Sequence, residues 1–286
     1  MKMHTAALLL FAGLTLSITT SCKKKEVTPQ LATVITADVT AISGTRAHCG
    51  GNITSDGASP VTEKGVCWST NPAPTIADNK TSDGTGMGAF ESAMTWLAPE
   101  SSYYVRAFAT NGVGTAYGTA CLFNTRSLAL GDDYLGGKVA YILQVYDTGF
   151  VYGQPHGIIA AAADQSTAMQ WYNGTYVATG ASATTLGRGS ANTALIVAAQ
   201  GNGTYAAKLC SDLMLLGQSD WYLPDNDELN KLYQNRALIG GFSTGADYWS
   251  STEISANNAW RLSFIDGTYI TSSKNFTYRV RAVRWF

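Results

Sequence analysis

The chain has 286 residues, a net charge of −1 and only 14% charged residues, with 29 glycines and 45% hydrophobic residues. Near-neutral charge argues against nucleic acid as a partner, and from Leu128 onward four Lys and six Arg face ten Asp and two Glu, so any polyanion would need a local basic patch. Only His48 and His156 lie beyond the first 21 residues, which excludes a histidine-based zinc site.

At the N-terminus Lys2 precedes an apolar run, Ala6 to Ile18, that is too short to span a bilayer as a helix. Ser21 is the small residue a signal peptidase needs. Cys22 follows at once, and then Lys23, Lys24, Lys25 and Glu26. The segment resembles a bacterial lipoprotein signal, with Thr19 where leucine is usual. The resemblance implies cleavage after residue 21, acylation of Cys22 and a lipid-anchored chain at the outer membrane, facing the periplasm or the cell surface. An ordinary secretory signal would still place the protein outside the cytoplasm. Residues 22–31 read as a tether, and the remaining length suffices for two domains.

Residues 32–126 alternate in short runs between Gly, Asn, Asp and Pro, the pattern of an antiparallel sandwich. In Ser102 to Thr110, period two sets Tyr103, Val105, Ala107 and Ala109 toward a core and Tyr104, Arg106 and Phe108 away from it. Asn111-Gly112-Val113-Gly114 then supplies a hairpin turn, and Thr115 to Phe123 the returning strand. Leu97-Ala-Pro99 leading into Tyr103, and Gly65-Val66-Cys67-Trp68-Ser69-Thr70, make this segment similar to a fibronectin type III domain. That resemblance implies a tyrosine corner at Tyr103 and a spacer role. Trp68 is expected in the core; an exposed sugar platform is the other reading. Cys49, Cys67, Cys121 and Cys210 allow several pairings, and buried free thiols are favoured.

Residues 127–135 read as a linker. Beyond it, Gly136–Leu143 and His156–Ala161 are expected strands. Helices follow at 192–200, with Asn192 as cap, and at 204–216, ending before Gly217. A third starts at Asp225, where Glu228 completes a capping box. Strands return over Tyr248–Glu253, Asn257–Phe264 and Tyr278–Arg284. This order makes residues 136–286 an α+β domain after the all-β sandwich.

Ser219-Asp220-Trp221-Tyr222-Leu223-Pro224, Tyr248-Trp249-Ser250-Ser251-Thr252-Glu253 and Val280-Arg281-Ala282-Val283-Arg284 resemble the family named for the C-terminal domain of the Legionella collagen-like adhesin. The resemblance implies a C-type-lectin-like fold, binding of sulfated glycosaminoglycans and assembly as a homotrimer. Neither loop of a calcium-dependent sugar site is present, and capping accounts for Asp225, Asn226 and Asp227, so no metal or cofactor is expected.

The candidate ligand residues are Arg261, Lys274, Arg279 and Arg281 as an anion patch, with Tyr269 as a stacking surface beside them. For Arg281 and Arg284 the favoured reading is an internal brace on Glu253 or on carbonyls. Catalysis finds no support: Cys210 lies on an apolar stretch, Gly187-Arg188-Gly189-Ser190 lacks a phosphate-loop ending, and no carboxylate pair stands out. The chain is expected to be a non-enzymatic adhesin for an extracellular glycan or sulfated polysaccharide. The other reading is an assembly component for an envelope or fimbrial protein. An exposed Arg and aromatic patch would favour the first, and an exposed apolar patch the second.

Overall fold

A computed structural model describes residues 27–286. Cys22 and the signal segment lie outside the described residues. Among the described residues, no helix is long and apolar enough to cross a membrane.

The N-terminal half is a two-sheet sandwich. Its strands are β1 (Thr33–Thr36), β2 (Ala47–Ser55), β3 (Glu63–Ser69), β4 (Asn79–Lys80), β5 (Gly88–Met94), β6 (Ser102–Thr110), β7 (Thr115–Tyr117) and β8 (Cys121–Asn124). One sheet runs β1-β2-β5; the other runs β4-β3-β6-β7, with β8 also pairing β6. The inward residues of the two sheets meet in a core of Ala47, Cys49, Val66, Trp68, Met94, Leu97, Val105 and Phe123. Trp68 is buried there rather than displayed. The Tyr103 hydroxyl accepts a hydrogen bond from the Ala98 amide at 3.0 Å, tying down the corner before β6.

Phe108 departs from the expected alternation: it is fully buried although it lies on the outer face. Its cross-strand partner is Gly65, whose missing side chain leaves room for the ring, and the Lys80 ammonium lies 5.6 Å above it. The returning strand is also split. β7 ends before Gly118, whose amide still donates to the Ala107 carbonyl of β6 and whose carbonyl accepts from Arg106 Nε, and the ladder with β6 continues at β8. All four described cysteines are free thiols.

The C-terminal half holds β9 (Asp133–Tyr134), β10 (Gly137–Ile142), β11 (Gly157–Ala160), β12 (Ser166–Gln170), α1 (Gly189–Gln200), α2 (Ala206–Ser211), α3 (Asn226–Ile239), β13 (Asp247–Glu253), β14 (Asn258–Ser263), β15 (Tyr269–Ser273), β16 (Thr277–Val280) and β17 (Val283–Trp285). β9 falls within the expected linker, drawn into the sheet by pairing with β10. A four-stranded sheet runs β17-β11-β10-β9 and a five-stranded sheet runs β12-β16-β13-β14-β15.

The run expected as one strand, Tyr278 to Arg284, divides at Arg281 and Ala282: β16 serves the five-stranded sheet and β17 the four-stranded one. The chain thus crosses between sheets at a buried arginine. Around that crossing pack Trp171, Trp249, Tyr205, Val280 and Ala282, all fully buried.

The capping box at α3 is formed. Asp225 accepts from the Glu228 amide and Glu228 from the Asp225 amide, each at 2.9 Å. Asn192 does not cap α1. It sits inside the helix, and its side chain donates to the Ala183 carbonyl, bracing the loop before the helix. α2 stops at Ser211, five residues before the expected end.

Candidate functional site

The five residues expected at the ligand site are each held by internal partners. Lys274 is fully buried, with Nζ bonded to Glu253 and to the Val177 carbonyl at 3.1 Å and lying 4.4 Å above the Trp171 ring. Glu253 also accepts from the amides of Thr179 and Gly180 at 2.9 Å. Burial alone would raise the Glu253 carboxyl, but the Lys274 ammonium and these amides outweigh it and hold it below its ordinary value. Lys274 is lowered by the same burial, only partly offset by Glu253. The pair therefore pins the 177–180 loop to the ends of β13 and β15.

Arg279 and Arg281 do come together, on a carboxylate rather than on open surface. Asp164 accepts from Arg279 Nη1 at 2.8 Å, from Arg281 Nε at 2.7 Å and from the Tyr248 hydroxyl at 3.0 Å. The remaining Arg281 nitrogens donate to the carbonyls of Ala161 and Gly241, and its guanidinium stacks 4.0 Å from the Phe242 ring. Arg261 is paired with Asp247, donates to Ser272 at 2.7 Å and covers the Tyr278 ring. Arg284 braces Asp220. The internal reading of Arg281 and Arg284 describes this geometry, with Asp164 and Asp220 as the acids in place of Glu253. Tyr269, expected at an exposed hairpin, is partly buried, and its hydroxyl donates to the Asn226 carbonyl at 2.7 Å.

These braces support a different surface at the same end of the five-stranded sheet. Directly after buried Trp171, the Asn173-Gly174 turn brings Tyr172 and Tyr176 together with ring centroids 4.8 Å apart. Tyr176 is 44% exposed, and its hydroxyl lies 3.2 Å from Ser273 Oγ at the end of β15. Phe276, in the β15–β16 turn, is 57% exposed. Beside it the Gln170 amide donates to the Asn275 carbonyl at 2.9 Å. Gln170, Tyr172, Tyr176, Ser273, Asn275 and Phe276 carry no formal charge. Aromatic faces with uncharged amides and hydroxyls suit a neutral polyhydroxylated ligand better than a sulfate. The legible signal was Trp171-Tyr172-Asn173-Gly174-Thr175-Tyr176, an Asn-Gly turn flanked by aromatics.

The buried acids Asp225 and Glu228 lie at the start of α3. Burial first, then the Glu228 charge, pushes the Asp225 carboxyl up to about 9, while Glu228 is raised by burial and accepts from the Tyr222 hydroxyl and the Trp285 indole. A carboxyl raised above its unfolded value contributes stability that is full below the ordinary carboxylate range and is lost as pH rises through about 9. Urea unfolding between pH 5 and 9 should therefore show stability declining as the Asp225–Glu228 pair ionises, and Asp225→Asn should lessen that decline. Burial also pushes the Cys210 thiol far up, which removes it as a nucleophile at neutral pH. Among the described residues, no group of three or more His, Cys, Asp or Glu is placed to hold a metal.

Residues 160–284 match the family model described as the Lcl C-terminal domain. The match begins at the end of β11 and leaves out β9 and β10, which the same sheet includes. No curated protein matches the chain in sequence. Among solved structures, a fimbrial protein from Bacteroides ovatus is similar at 12% identity, covering 78% of this chain and 64% of that one, with a TM-score of 0.39. The fibronectin type III domain of human collagen XX is similar at 15% identity over 35% of this chain and 97% of that one, with a TM-score of 0.26. The sensor domain of an anti-sigma factor from Pseudobacteroides cellulosolvens is similar at 13% identity over 36% of this chain and 100% of that one, with a TM-score of 0.27.

Proposed function

We propose that the protein is an exported, non-catalytic binding protein, anchored by lipid on Cys22 at the outer membrane. Its fibronectin-like sandwich spaces a C-type-lectin-like domain that takes a neutral extracellular glycan on the Tyr172, Tyr176 and Phe276 face. The observation that carries this reading is the uncharged aromatic and amide surface itself, set on a rigid base by the buried Lys274–Glu253 pair. The match of residues 160–284 to the Lcl C-terminal domain model supports placing the binding face in this half of the chain. The sulfated-ligand expectation gives way to a neutral one, since Arg261 and Lys274 are paired with Asp247 and Glu253, and Arg279 and Arg281 are both drawn onto Asp164.

A glycan array probed with residues 27–286 at two salt concentrations tests the reading. Binding to neutral glycans that changes little with salt is the expected result, because screening acts on charge pairs and not on stacking. Binding confined to sulfated chains and abolished by salt would overturn it. The assembly reading, with a protein partner, is favoured by a separate observation, an apolar cleft elsewhere in the chain.

A further inference from the structure

Six non-glycine residues among those described have positive φ, and three of them, Trp96 (φ 59°), Leu135 (φ 41°) and Leu216 (φ 48°), line a single cleft of about 500 Å³. The cleft lies where the β5–β6 loop of the sandwich faces the start of β9 and the 215–218 turn of the C-terminal half. Each such backbone is strained for a side-chain-bearing residue and persists only where its surroundings impose it. Here the strained residues do not bury their side chains: Trp96 is 57% exposed, Leu135 38% and Leu216 69%. Three large apolar groups are thus held open around one cavity. That is the reverse of what burial would select and the arrangement expected of a binding site.

Two observations define the occupant. Asp133, the charged residue lining the cleft, is already paired with Arg46 and with Lys138 at 2.8 Å, so the walls present no unmatched charge. Thr45, 1% exposed, also lines the cleft, and its Oγ1 has no hydrogen-bond partner, one of only two buried side-chain polar atoms so placed among the described residues. A buried polar atom left unpaired is destabilising, a cost that a ligand supplying its partner removes. Gln218 adds a side-chain amide at the rim, its backbone amide and carbonyl being engaged with Leu215.

From this geometry we infer that the cleft between the two halves is a docking site for an uncharged peptide segment of a partner protein, which inserts one bulky apolar side chain among Trp96, Leu135 and Leu216. A peptide offers an apolar side chain for the walls together with an amide N–H and C=O for Thr45 and Gln218. A sugar, with a hydroxyl on nearly every carbon, would leave most of its polar groups unpaired against these walls. The inference does not depend on the glycan reading, which concerns the opposite chemistry on another surface.

Titrating residues 27–286 with acetylated and amidated Gly-Phe-Gly and Gly-Leu-Gly, followed through the indole N–H signals in NMR, tests it. Trp96→Phe identifies the Trp96 signal. The apolar peptides should shift that signal, whereas Gly-Gly-Gly, Gly-Asp-Gly and methyl glucoside should not. Leu216→Asp, at a position exposed enough to leave folding intact, should weaken binding by about tenfold or more. Thr45→Val should weaken binding and raise the melting temperature, because it removes the unpaired hydroxyl at nearly constant volume. Absence of any shift at millimolar apolar peptide, an equal shift with methyl glucoside, or a Leu216→Asp protein that binds unchanged would each overturn the inference.

Discussion

Replacing Lys274 with Met should lower the stability of the C-terminal half by about 3–5 kcal/mol, the cost of leaving a buried partner charge uncompensated. Glu253 would keep the amides of Thr179 and Gly180 but lose the Lys274 ammonium, as would the Val177 carbonyl and the Trp171 face. Because the pair joins the 177–180 loop to β13 and β15, the damage should reach the Tyr172–Tyr176 surface that the same loop carries. Denaturant unfolding followed by tryptophan fluorescence measures the loss. The double variant Lys274→Met, Glu253→Gln should recover part of it, since a neutral amide can still accept from the loop. A single variant as stable as the parent would show that the pair is dispensable.

Asp164→Ala should be nearly as damaging. Asp164 is the one carboxylate shared by Arg279 and Arg281, and Arg281 is fully buried at the point where the chain leaves β16 for β17. Removing the acid leaves the Arg281 guanidinium with two carbonyls and the Phe242 ring but no counter-charge. A loss of about 3–5 kcal/mol is expected. Arg279→Ala, which removes the more exposed of the two arginines and leaves Arg281 paired, should cost only about 1 kcal/mol. Chemical denaturation of the two variants side by side checks the contrast, and equal losses would mean that Arg281 does not depend on Asp164.

Much of the architecture was legible because its signals are local. Alternation in Ser102–Thr110 and the Leu97-Ala-Pro99 approach to Tyr103 mark the sandwich, and the Asp225–Glu228 box marks the start of α3. Phe108 was misplaced because period two knows nothing of Gly65 across the strand. The division of Tyr278–Arg284 between two sheets was likewise invisible, since an arginine that crosses between layers reads in sequence as one more polar residue of an alternating strand.

The candidate site shows the same limit. Basic residues are visible in sequence while their partners are not: Asp164 lies more than a hundred positions from Arg279 and Arg281. A cluster of arginines therefore looked like an open anion patch, although Arg261 and Arg284 each have an acid and Arg279 and Arg281 share Asp164. The Tyr172 and Tyr176 pair sat in view beside an Asn-Gly turn, but its exposure follows from Trp171 and Lys274 filling the space beneath, a fact of packing.

The central claim is that recognition belongs to the uncharged aromatic face and that the terminal arginines are structural. A neutral glycan selected from the array, titrated by calorimetry into the parent protein, Tyr176→Ala and Arg279→Ala, tests it most directly. The account predicts that Tyr176→Ala weakens binding by about tenfold at unchanged stability, while Arg279→Ala binds as the parent does. Loss of affinity in Arg279→Ala with full affinity in Tyr176→Ala would contradict it.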